Sequence, residues 1–117
     1  MTYVDGFVLA VPKANLGAYK ELASLAADVW MEHGALSYVE CLADDVPYGE
    51  LTSFPRAVQA KEDEVVVFSW IVYANRQARD EINAKVMEDE RLKPFQDGPP
   101  FDGKRMIFGG FSTFVER

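Results

Sequence analysis

Apolar positions along this chain fall into six periodic segments in the order strand, helix, strand, strand, helix, strand. Tyr3 to Val11 is rich in β-branched and aromatic residues and stops at Pro12, whose ring removes the next backbone donor. Asn15 then offers an N-cap, and Leu16, Tyr19, Leu22, Ala26, Val29 and His33 recur at helical spacing until Gly34 ends the run. Ala35 to Ala43 reads as the second strand and Val65 to Tyr73 as the third, the latter apolar on both faces. Asn75 caps a second helix running to about Glu90, with Ile82, Val86 and Met87 on its apolar side. Arg105 to Val115 closes the chain as a fourth strand, where Gly109-Gly110 predicts a bulge or a close backbone approach. A short extra strand at Ala57 to Ala60 competes with this map.

Right-handed crossovers join these elements most simply as a ferredoxin-like βαββαβ sandwich of the α+β class. It has a four-stranded antiparallel sheet with strands one and three central and two helices on one face. The 117 residues then make a single domain, 1–117. Two helices cover one sheet face, yet the third strand is apolar on both. The bare face therefore predicts a homodimer stacked sheet on sheet, with an interface on the order of 2,000 Å². If the first strand points up, the long connections 44–56 and 91–104 share the upper rim and the tight links around Gly34 and Asn75 lie below. Connections of this length serve as lids, binding loops or dimer arms.

Charge narrows the partners. Twelve Lys and Arg against nineteen Asp and Glu leave a formal charge of −7, which opposes phosphate backbones and anionic membranes. No nucleic acid and no membrane is expected as a partner, because no segment approaches the roughly 18 apolar residues of a membrane span either. With no basic leader followed by an apolar stretch, a cytoplasmic protein is expected. The single cysteine, Cys41, forms no intramolecular disulfide and reads as a small core residue. One histidine, one cysteine, no glycine-rich dinucleotide fingerprint and no P-loop predict that no metal and no cofactor is needed. His33, at the lower end, is remote from the acids of the rim loops, which speaks against a catalytic triad within one subunit.

Several ordered segments also resemble a known family: Tyr3-Val4-Asp5-Gly6-Phe7-Val8, Glu40-Cys41, Asp44-Asp45-Val46-Pro47, Val67-Phe68-Ser69-Trp70, Arg79-Asp80, Asn83 to Met87, and Pro100 to Ile107. They are similar to the YbaA-like family of small bacterial proteins, catalogued as a domain of unknown function. The resemblance spans nearly the whole chain and implies a ferredoxin-like dimeric α+β barrel, the architecture also used by small antibiotic-biosynthesis-type monooxygenases. It carries over no catalytic residues.

Candidate chemistry rests on polar groups among apolar ones. Asp5 and Glu40 lie on apolar strands, where an unpaired carboxylate is costly. Arg79 and Asn83 are four residues apart, on the apolar side of the second helix. Asp102 and Arg105 flank the start of the last strand. A ligand-binding cluster is expected to draw on Glu40, Arg79, Asn83, Asp102 and Arg105, with Trp70 as an apolar wall beside Trp30 and Phe7; the alternative is a set of ion pairs that fixes loops. Two functions stay open: a small-molecule enzyme or binding protein with a cleft between helices and sheet, and a non-catalytic protein-interaction dimer. An enclosed cavity with convergent polar groups distinguishes the first from the second.

Overall fold

The computed structural model describes residues 1–117. Strands β1 (Tyr3–Pro12), β2 (Ser37–Leu42), β3 (Glu64–Tyr73) and β4 (Ile107–Ser112) form one antiparallel sheet in the order β2-β3-β1-β4. Strands one and three are central, as the crossover rule requires. The last strand is shorter than its apolar pattern. Arg105 is drawn into a turn capped by Asp102, and beyond Thr113, bonded to Thr2, β1 offers no further partner. The pairing of β4 with β1 runs without a bulge, so Gly109-Gly110 serves a close approach instead. A Cβ on Gly110 would lie 2.7 Å from the Tyr3 ring and 2.9 Å from the Arg79 guanidinium.

Register fixes the two faces. Phe7 and Glu40 both pair with Ser69, and Asp5 and Tyr38 both pair with Ile71, so all six share one face. Val4, Val39, Phe68, Trp70, Val72 and Phe111 point the other way. Helix α1 (Leu16–Glu32) covers the first face, burying Ala26 and Val29 against Ile71 and Tyr73, and Tyr19 against Leu9 and Val67. Helix α3 (Arg76–Met87) begins where Asn75 Oδ1 accepts the Ala78 amide at 2.8 Å and buries Ile82 and Val86 in the same core. Asn15 does not cap α1. It ends a 3-10 turn with φ −101° and ψ 4°, not extended, and its side chain instead donates to Pro100 O at 3.3 Å.

The expectation that connection 91–104 lies on the upper rim, with the second helix climbing from Asn75 to reach it, is corrected. After α3 the chain meets the C-terminal end of α1, where Asp89 pairs with His33 at 3.0 Å and Arg91 with Glu32. Segment 90–101 then returns along α1 to Asn15 and places Phe101 edge-on to Tyr19. A strap of 3-10 turn and loop thus occupies the space a longer helix would have filled.

The competing strand at Ala57 to Ala60 does not form. Ser53 caps a single helical turn, α2 (Phe54–Ala57), and Val58 behind it packs on Val8, Ala10 and Val66 on the second face. Loop 44–56 therefore lies over the second face from the upper rim, whereas 91–104 starts at the lower end, crosses the first face and reaches that rim only near Pro100, so the two do not share a rim along their length. Gly49 makes the first of these turns at φ +69°, where any Cβ would collide with Thr52 O. Below α2 the second face is bare: Phe68 is 42% and Phe111 63% exposed, and Cys41 is exposed beside them rather than in the core. The single chain of 13.1 kDa exposes 7641 Å², against about 6,400 Å² for a compact monomer of that mass. No helix is long and apolar enough to cross a membrane.

Candidate functional site

Between α1, the 90–101 strap and the first sheet face lies a cavity of about 380 Å³. It exists because the strap bridges from one end of α1 to the other without filling the space beneath it. Fifteen of its nineteen lining residues are hydrophobic, so burial of apolar ligand surface would drive occupancy. Trp30 and Tyr38 form one wall, with ring centroids 5.9 Å apart; Phe7 and Ile71 form the floor, and Phe95 and Phe101 come from the strap.

Glu40 is the carboxylate of this cavity. Alternation along β2 points it inward beside Tyr38, whose hydroxyl donates to Glu40 Oε2 at 2.7 Å, and Tyr19 of α1 donates to Oε1. Burial first, and then the adjacent Glu40, push both tyrosine hydroxyls well above the usual tyrosine range. Both remain protonated donors throughout the physiological range. Glu40 belongs to no ion pair; Lys20 borders a shallow opening of about 130 Å³ that reaches Glu40 from between α1 and β2, without contacting its carboxylate.

The other expected site residues lie elsewhere. Arg79 and Asn83 sit at the lower end around buried Asp5: Arg79 Nη1 pairs with Asp5 Oδ1 at 3.4 Å, Tyr73 donates to Asp5 Oδ2 at 3.0 Å, and Asn83 Oδ1 accepts the Trp30 indole at 3.1 Å. This network ties α3 to the sheet and to α1. Burial, then the charge of Asp5, raises the Tyr73 hydroxyl well above its usual range. Asp102 and Arg105 form a clasp on the upper rim. Arg105 Nη2 pairs with Glu64 at 2.6 Å, Nε with Asp102 at 3.0 Å, and Nη1 donates to Gln59 O at 2.8 Å, joining three segments. Trp70 is on the opposite sheet face, because it alternates with Ser69 and Ile71, and it packs on Phe68 at 5.5 Å. Glu40 alone of the six expected residues lines the cavity.

Sequence reasoning missed Tyr19 and Tyr38 as partners of Glu40, and it missed the strap. The signals were present: Tyr38 is two residues from Glu40 on one strand face, and Tyr19 lies in the first turn of the apolar stripe of α1 at the same end. No group of three or more His, Cys, Asp or Glu side chains is arranged to hold a metal ion.

An antiparallel β2-β3-β1-β4 sheet, two main helices on one face and a cleft beneath them define a ferredoxin-like α+β protein. A dimeric ferredoxin-like protein from an uncultured marine organism matches it with a TM-score of 0.61 and 11% identity over 100% of both chains. SnoaB from Streptomyces nogalater, a cofactor-independent oxygenase solved as a point mutant, matches with a TM-score of 0.55 and 12% identity, over 98% of this chain and 93% of that one. At such identities the likeness is one of fold. Sequence places the chain more closely: residues 2–103 match the family described as Protein of unknown function (DUF1428). The chain belongs to that family, and it is 53% identical over 116 residues, 99% of each chain, to Uncharacterized protein YbaA of Escherichia coli strain K12.

Proposed function

We propose that the protein is a homodimer that binds one apolar small molecule per subunit in the cleft beneath α1, with Glu40 as the polar anchor. The observation that carries this reading is the cleft itself: about 380 Å³ of mostly apolar lining converging on one carboxylate held by two tyrosine donors. Its volume falls at the small end of the roughly 300–1,000 Å³ typical of ligand pockets. A dimer made for protein interaction alone has no need of such a space, and filling it would gain packing energy. Cleft and anchor therefore favour ligand binding over the interaction-only alternative.

Support for the dimer comes from the second sheet face. Phe68, Ile107 and Phe111 are exposed there, and the single chain leaves about 1,200 Å² more surface in water than a monomer of its mass. Stacking two such faces removes that excess, and the marine ferredoxin-like protein of the same fold is dimeric. The oxygenase among the structural neighbours shares the fold at 12% identity. Fold likeness alone brings no oxidation step to this chain, and the cleft itself supports binding. An exposed single thiol, Cys41, accords with a reducing compartment, the cytoplasm.

A thermal-shift screen of fused-ring compounds, run beside light scattering, tests both parts. Wild type is expected to scatter as twice 13.1 kDa and to gain melting temperature with at least one compound. Ala23→Phe, which fills the cleft, should keep the dimer and lose the shift, whereas Phe68→Asp should give the 13.1 kDa monomer. A monomeric wild type overturns the dimer. An Ala23→Phe protein that responds like wild type overturns the site.

A further inference from the structure

Resting on the cleft as a ligand site, we infer that its ligand is an apolar ring system presenting a hydrogen-bond donor, a hydroxyl or a protonated amine, to Glu40, and that anionic ligands are rejected. The inference follows from which way the protons point. Tyr19 and Tyr38 each donate to a different oxygen of Glu40, so both phenolic protons are already committed. An ionised carboxylate accepts at about four lone-pair sites and donates at none, and two of those sites remain. The phenolic oxygens likewise turn lone pairs, not protons, toward the cavity. Four clustered oxygens thus offer acceptors to whatever enters.

No cation offsets them. None of the nineteen lining residues is Lys, Arg or His. The arginines nearest the fold interior are each held by other acids: Arg79 by Asp5, Arg91 by Asp89 and Glu32, Arg105 by Glu64 and Asp102. Lys20 stands on the outer opening between α1 and β2 and makes no ion pair with Glu40. The remaining polar side chains of the lining are Ser69, which pairs with Glu40 in the strand register, and Gln96 at the exposed mouth. A carboxylate or phosphate brought to Glu40 would meet like charge in apolar surroundings, where repulsion is least screened. A hydroxyl or ammonium would instead form a charge-assisted hydrogen bond. The walls suit flat rings: Trp30 and Tyr38 are tilted toward each other, Phe101 lies edge-on to Tyr19, and Met87 adds a polarizable edge.

Calorimetric titration near neutral pH with three probes on one frame, 2-naphthol, 2-(aminomethyl)naphthalene and 2-naphthoate, separates donor from anion. Wild type is expected to bind the alcohol and the amine at least about tenfold more tightly than the carboxylate. Glu40→Gln, which keeps the shape and removes the charge, should collapse that ratio; Tyr38→Phe, which leaves Glu40 in place, should preserve it. Equal or tighter binding of 2-naphthoate by wild type overturns the inference without need of any variant, and leaves the cleft as a site of different chemistry. A donor preference that survives Glu40→Gln also overturns it. If none of the three probes binds, the reading of the cleft fails and this inference falls with it.

Discussion

Glu64 and Arg105 meet on the upper rim with side chains 3% and 16% exposed, and the guanidinium also reaches Asp102 and the Gln59 carbonyl. Hydrogen bonds from Arg105 hold Glu64 down to about 2, below its ordinary 4.5, and hold Asp102 below its usual range as well. A depressed carboxyl contributes stability that is complete above its unfolded value and is lost as pH falls through the folded one. The clasp therefore weakens between about pH 5 and pH 2 and is intact at neutrality. In Glu64→Gln the melting temperature should be lower at neutral pH, and its decline over that acid window shallower than in wild type. Identical acid profiles for the two proteins would remove Glu64 from the account. At this scale the sequence told much less than the structure. Asp5, Glu40, Arg79, Asn83, Asp102 and Arg105 all stand out as polar groups among apolar ones, but which acid pairs with which base depends on contacts between residues far apart in the chain. Of the six expected site residues, Trp70 among them and Asp5 not, Glu40 alone reaches the cavity: Arg79 and Asn83 are drawn to Asp5, Arg105 to Glu64 and Asp102, and Trp70 lies on the opposite face.

Periodicity made the elements legible because each helix and strand buries one side against the others. The four strands, both main helices and the central position of β1 and β3 follow from it. The strap does not, because segment 90–101 has neither helical nor strand spacing and is placed by tertiary contacts at its two ends, Asp89 with His33 and Pro100 with Asn15. Caps show the same division. Asn15 and Asn75 both precede a helical run, and Asn75 alone has the extended backbone, φ −166° and ψ 177°, that lets its side chain turn back to the amides. Urea unfolding should accordingly give a loss of about 1 kcal/mol for Asn75→Ala and less than about 0.5 kcal/mol for Asn15→Ala. Equal losses would contradict this assignment of the caps.

The whole molecule divides its work between the two faces of one sheet. Strand alternation sends Ser69 and Ile71 to the cavity, and Phe68, Trp70 and Val72 to the bare face, so a single β3 serves both. The apolar character of β3 on both sides was readable from its sequence, but which face held the cleft was not. That depends on which side the helices occupy, and a period of two is the same from either side. The two tryptophans report on this division, Trp30 in the cavity wall and Trp70 on the bare face. The most direct test is a proton–nitrogen NMR titration of wild type with 2-naphthol that follows both indole N–H signals. The Trp30 signal, whose N–H bonds Asn83 and Tyr73 beside the cavity, is expected to shift in a saturable way while the Trp70 signal stays in place. A saturable shift at Trp70 with Trp30 unmoved would put the ligand on the bare face and contradict the account.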